Sequence, residues 1–184
     1  VHITAGAAFE YTDLGEYVEA SSKKEALDFM KEYIKSNPDI EDYRFMMERA
    51  ALNEEELTKE ELDEICPDRD ILVLEGECHR VWVNSRVLEK YGITDDTPDP
   101  APGISYFVRK DGHVTGNAYE SAGWPFIFGS LNDGLTDEQI KTAIAKWVDF
   151  CKQNGISGVF DAGFPEHNEL HERMYDCMVE MDRD

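Results

Sequence analysis

Gly155-Ile156-Ser157-Gly158-Val159-Phe160-Asp161 is the stretch on which the fold class turns. Its apolar, β-branched centre, Ile156 to Phe160, predicts a buried strand. Upstream, Thr136-Asp137-Glu138-Gln139 reads as a capping box. Ile140, Ala143, Ile144, Trp147, Val148 and Cys151 then recur at helical spacing until Gly155 stops the helix. Downstream, Asp161-Ala162-Gly163 closes the strand, and Pro165 opens a second helix striped by Leu170, Met174, Met178 and Met181. Helix, turn, buried strand, turn, helix is the rhythm of a βα-repeat protein with a parallel sheet. One such strand cannot make a sheet, so its partners are expected elsewhere.

The same logic reads the chain toward its start. Ile104 to Arg109 predicts a strand, Lys110-Asp111-Gly112-His113 a hairpin turn, and Val114 onward the return strand. Asp95 to Gly103, with three prolines, is a stiff loop. Ile71-Leu72-Val73-Leu74 predicts a strand buried on both faces, and Arg80 to Val83 another extended piece. Ser85 to Tyr91 predicts a short helix ended by Gly92. Thr58-Lys59-Glu60-Glu61 and Ser22-Lys23-Lys24-Glu25 are further capping boxes, the latter opening an amphipathic helix that Asn37-Pro38 ends. Tyr43 to Ala51 is read as a strand, and Val1 to Ala8 as the end of one. The segment Tyr119 to Phe128 is interrupted by Gly123 and Pro125 and stays ambiguous.

With 184 residues and 41% hydrophobic side chains the chain can bury a core. Its net charge of -22 repels phosphate backbones and anionic lipid, which argues against nucleic-acid and membrane partners. No apolar run reaches the ~18 residues of a membrane span. Cys66, Cys78, Cys151 and Cys177 form no C-x-x-C pair, which suits reduced thiols in a cytoplasmic protein. Between Asp39 and Asp70 stand 13 acidic and 4 basic residues, read as a solvated face without function.

Few side chains advertise chemistry. His167 and His171 stand at i and i+4, a zinc-compatible spacing, but the intervening Asn168 and Glu169 miss the metalloprotease pattern and neighbouring glutamates suggest a solvated helix. Glu77-Cys78-His79-Arg80 lies between two extended pieces, and Asn84-Ser85 starts a helix. His79 is either a satisfied core histidine or, with Asn84 and Ser85, part of a polar cluster facing a substrate; Asn84 or Ser85 is equally a helix cap. Asp161 ends a predicted parallel strand, where α/β folds collect their chemistry, or simply caps the next turn.

A resemblance sharpens these alternatives. Glu61-Leu62-Asp63, Pro67-Asp68-Arg69, His79, Val83-Asn84-Ser85, Leu88 and Gly92-Ile93 follow one another in the order and spacing seen in amidohydrolase family 3. Thr97-Pro98-Asp99-Pro100, Gly103, Asp111-Gly112, Thr115-Gly116 and Glu120 continue the match. Gly155 to Asp161 resembles the family's second barrel strand, and Val1-His2 the last two positions of the His-x-His metal motif that ends its first. The chain departs from the family between Asp39 and Leu57, where acidic residues replace an expected Gly-Trp-rich segment.

The resemblance implies an α/β fold: an α+β insertion subdomain joined to a fragment of a (β/α)8 barrel. On this reading residues 1-8 end the first barrel strand, 9-135 form the insertion, and 136-184 are a helix-strand-helix of the barrel. It implies a metal-dependent hydrolase of carbon–nitrogen bonds other than peptide bonds, in which the metal would acidify a bound water and polarise the carbonyl. His2 would be a metal ligand, zinc being the first expectation, and His79, Asn84 and Ser85 would face a small-molecule substrate. The remaining ligands would come from later strands, so the chain alone is expected to hold no metal, to be inactive and to self-associate through exposed apolar surface. Two other readings stay open: a self-contained, non-catalytic module that binds a small molecule or partner, and a regulatory protein with the amidohydrolase fold.

Overall fold

A computed structural model of the protein describes residues 13–53, 55–128, 135–161 and 169–182. They divide into two compact units, Leu14–Ile127 and, as the second, Asp13 with the described residues from Phe128 onward.

The first unit is a six-stranded mixed sheet with helices on both faces. Its strands are β1 (Glu16–Tyr17), β2 (Asp42–Met47), β3 (Asp70–Glu75), β4 (Arg80–Val83), β5 (Tyr106–Lys110) and β6 (His113–Tyr119), in the order β1-β2-β3-β4-β6-β5. The first three are parallel. β4 is antiparallel to both β3 and β6, and β5 is antiparallel to β6.

The parallel half is built by crossovers and the antiparallel half by turns. Helix α1 (Lys23–Ser36) links β1 to β2 and buries Ala26 and Met30. It packs with Tyr43 and Phe45 of β2, Ile71 and Val73 of β3, and Trp82 of β4, all on one sheet face. Helix α2 (Lys59–Ile65) adds Leu62 to that core. The opposite face carries Leu72, Leu74 and Val81, with Val87 and Leu88 of α3 (Ser85–Lys90) and Phe126 of α4 (Trp124–Phe128) also buried. β3 is therefore covered on both sides, as its unbroken apolar run predicts. Asp111 and Gly112, at φ 53° and 87°, close the β5–β6 hairpin, a left-handed pair that glycine makes affordable.

Three local readings change. Ser22 caps α1 through the Glu25 amide, but the Glu25 carboxylate turns back to the amide and hydroxyl of Ser21, one residue earlier than a capping box requires. β2 ends at Met47 and gives way to a 3-10 turn, Arg49–Leu52, because the apolar alternation fails there. The ambiguous 119–128 segment folds as a 3-10 turn, Glu120–Ala122, followed by α4.

The second unit holds α5 (Asp137–Gln153), whose capping box at Thr136 is complete, and α6 (Glu169–Met181). Arg173 of α6 donates to Asp137 Oδ1 at 2.6 Å and to the Leu135 carbonyl at 2.8 Å, tying the two helices. The predicted strand Ile156–Phe160 is not one: it pairs with no strand among the described residues, and Phe160 is 83% exposed. A parallel strand is made by its neighbours, and among the described residues there are none to accept its ladder. No helix of the described residues is long and apolar enough to cross a membrane.

Candidate functional site

The strand directions place four carboxyl ends, those of β1, β2, β3 and β6, on one rim of the sheet, beside the starts of β4 and β5. In open α/β sheets ligands bind outside the carboxyl ends of parallel strands. A groove of about 660 Å³ lies on that rim, lined in part by Glu48, Arg49, Glu75, Glu77, Arg80 and Tyr119.

Each lining residue is set by its place in a strand or turn. Glu48 and Arg49 follow β2, and Glu75 is the last residue of β3. The turn from Gly76 to His79 brings the chain back into β4. A Cβ on Gly76 would stand 2.5 Å from Glu48 Oε1, so glycine lets that carboxylate cross the end of β3. Arg80 pairs in register with Tyr119, and its guanidinium carbon lies 3.9 Å from the Tyr119 ring centroid, a cation–π contact. Tyr106 stacks on the far side of the pair at 4.8 Å from Tyr119.

Glu56 anchors this arrangement from below. One carboxylate oxygen pairs with Arg80 Nη1 and, at 3.5 Å, with Arg49; the other accepts from Trp82 Nε1 and Asn117 Nδ2, both at 3.0 Å. Its backbone carbonyl accepts from Lys23 at 2.7 Å. Glu56 belongs to the acidic run read as a solvated face, and that reading is corrected here. A carboxylate surrounded by four donors fastens the loop before α2 to β4 and β6.

Two groups on the rim are less well provided for. Arg80 Nε is buried without a hydrogen-bond partner. Glu75 is 7% exposed, and burial pushes its carboxyl above the usual carboxylate range, with Arg80 and Arg49 pulling the other way. Burial also pushes the Cys78 thiol up, keeping it protonated and unsuited to nucleophilic work.

His79 sits on this rim, with 62% of its side chain exposed, so it is not a core histidine. Its Nδ1 lies 3.0 Å from Glu120 Oε1, and its carbonyl accepts from the Glu120 amide at 2.9 Å. The residues flanking this pair, Cys78 and Glu120 itself, hold positive φ of 63° and 51°. Left-handed non-glycine residues are costly and gather at functional sites.

Asn84 and Ser85 lie at the other end of β4, roughly 16 Å away at about 3.3 Å per residue. Asn84 is fully buried: Oδ1 accepts from the Ile71 and Val87 amides, both at 3.3 Å, and Nδ2 donates to the carbonyls of Arg69 at 2.7 Å and Cys66 at 3.4 Å. Ser85 gives its amide and hydroxyl to the two oxygens of Asp63, at 2.9 and 2.5 Å. The structure thus separates His79 from Asn84 and Ser85, and it uses the latter two to cap α3 and tie it to β3 and α2. His2 and His167 lie outside the described residues, as does the His171 side chain. Tyr175 donates to Asp161 at 3.1 Å, on the exposed second unit. Among the described residues no three His, Cys, Asp or Glu side chains are grouped to hold a metal ion, so no metal step is built on them.

Sequence reasoning singled out His79, quoted Arg80 beside it and Glu120 within the family match, but missed Glu56 and Glu75. Glu75-Gly76 at a strand end looks like any turn, and only the pairing of β3 with β2 and β4 buries it.

The profile of the amidohydrolase family matches residues 1–182. The N-substituted formamide deformylase of Arthrobacter pascens is 31% identical over 110 residues, covering 57% of this chain and 20% of that protein. YtcJ of Bacillus subtilis (strain 168), provisionally named an amidohydrolase, is 40% identical over 104 residues, covering 55% of this chain and 19% of its own. The chain therefore spans about a fifth of the length of these curated relatives. A crystal structure of an uncharacterized metal-dependent hydrolase from Pyrococcus horikoshii OT3 aligns with all of this chain and 32% of its own, at 17% identity and a TM-score of 0.49.

Proposed function

Because the chain belongs to the amidohydrolase family, we propose that it is part of a longer metal-dependent hydrolase of carbon–nitrogen bonds other than peptide bonds. The observation that carries this reading is the family match across residues 1–182. The deformylase relative, whose name specifies an N-substituted formamide, supports amide-type substrates. In this reading residues 9–135 are an insertion, residues 136–184 become a helix-strand-helix of a (β/α)8 barrel once neighbouring barrel strands are present to pair with Ile156–Phe160, and His2 is one ligand of a divalent metal, zinc first among the candidates.

The rim with His79, Glu120, Glu75 and Arg80 is the side that faces the substrate. His79 acts there as a substrate-orienting group, its ring set by the Glu120 carboxylate 3.0 Å away. Asn84 and Ser85 act at one remove, by fixing β4 against α3. The chain alone is inert in this reading, since it spans about a fifth of its curated relatives' length and the further metal ligands would come from later strands.

The test uses the longer protein. Hydrolysis of an N-alkylformamide, lost on chelation and regained with zinc, is the expected result. No turnover of formamides or related amides with metal restored would overturn the reading. For the isolated chain, a metal-to-protein ratio near zero is expected, and a tightly held ion would overturn its proposed inertness.

A further inference from the structure

One carboxyl on the rim is left unused by the rest of the molecule. Glu75 is 93% shielded from solvent and lines the groove, and among the described residues its carboxylate has no hydrogen-bond or ion-pair partner. Both arginines of the lining are already engaged by Glu56, and Arg80 also lies against Tyr119. Glu48 and Glu77, exposed at the mouth, likewise form no ion pair among the described residues. The groove therefore presents three carboxylates without an ion pair among the described residues, beside two arginines whose charge Glu56 already shares. The Glu75 carboxylate opens onto the groove without a protein donor, and a donor-bearing cation there supplies the partner it lacks.

We propose that this groove binds the cationic nitrogen of a small organic ligand, a primary alkylammonium group, with Glu75 as the deep acceptor and Glu48 and Glu77 at the mouth. This rests on the reading of the rim as the substrate-facing side, and it names an amine-bearing molecule as the class of substrate or product held there. An ammonium carries three donors on one atom, enough to reach several carboxylates at once. A volume of about 660 Å³ accommodates a small organic molecule. The chain's net charge of -22 draws cations toward it. Burial raises the Glu75 carboxyl, so its proton is held to a higher pH than that of an exposed glutamate. A bound cation displaces that proton, so binding weakens as the pH falls through the Glu75 titration. Arg49, Arg80, Glu77 and His79 share its field and move the midpoint together.

The experiment is a titration of the full 184-residue chain with n-butylammonium at constant ionic strength, followed by amide NMR shifts. Saturable shifts at Gly76, Cys78 and Arg80, absent at Lys90 on the opposite rim, are expected. The substitution Glu75→Gln is expected to weaken binding roughly tenfold or more, the worth of a lost charge-assisted bond. Glu89→Gln, on the opposite rim, leaves it unchanged. If Glu75→Gln unfolds the chain, the exposed pair Glu48→Gln and Glu77→Gln gives a severalfold loss instead. Absence of saturable shifts, equal shifts from 1-butanol or butyrate, or undiminished binding by both variants overturns the proposal. The measurement needs no turnover, so its failure leaves the hydrolase reading standing, and a longer protein that hydrolyses nothing leaves the binding result intact.

Discussion

The sheet of residues 14–127 and the described residues after Phe128 make opposite use of similar sequence. Ile71-Leu72-Val73-Leu74 and Ile156 to Phe160 are both short apolar runs ending near an acidic residue and glycine. The first lies between two strands and two helical layers, with every side chain at 6% exposure or less. The second pairs with nothing among the described residues, and Phe160 stands in solvent. A helix satisfies its own backbone, but a strand exists only in company. The same composition therefore reports burial in one place and an unmet demand in the other.

The sharpest way to break this comparison is in the sheet. Trp82 is fully buried and its ring nitrogen is bonded to Glu56, so Trp82→Ala is expected to cost about 4 kcal/mol in urea denaturation. Next comes Asn84→Ala, which strands two buried amides and two carbonyls and is expected to cost about 2 kcal/mol. Its companion readout is amide exchange at Ile71 and Val87, which accelerates if the side chain is the cap. Thr136→Ala removes a complete capping box and is expected to cost about 1 kcal/mol, seen as lost helicity at the start of α5. The smallest effect belongs to Phe160→Ser, within about 0.5 kcal/mol, since an exposed ring contributes little to folding. That variant is expected to reduce self-association in sedimentation velocity; an unchanged profile would mean that the exposed run is not what joins copies.

The sequence foretold what is local. Both threonine capping boxes, the stop at Gly92 and the Asp111-Gly112 hairpin appear where spacing puts them, because each is settled within four residues. Burial of β3 was also legible, from its run of four apolar residues. What escaped was relational. Glu56 looks like one more charge in an acidic run, yet its four side-chain partners come from positions 49, 80, 82 and 117. β1 is two residues long and carries no pattern at all.

The candidate site follows the same division. His79 stood out because histidines are few, but its distance from Asn84 depends on where β4 begins and ends. Many residues of the family match prove to be fasteners of the sheet. Asp63 holds Ser85, and Asp99 takes Arg109 at 2.8 Å and the Phe107 amide at 3.1 Å. A match carried by such residues reports the fold more directly than the chemistry.

The outer strands of the sheet have one more consequence. Among the described residues β1 and β5 are the outermost, and neither is a good template for a foreign strand. β1 spans only Glu16–Tyr17, while β5 shifts register between Phe107 and Arg109 and then presents the exposed Lys110. Brevity, a bulge and positive charge are the devices by which sheets refuse to extend. Amyloid-like growth by adding strands to this sheet is thereby blocked at both flanks.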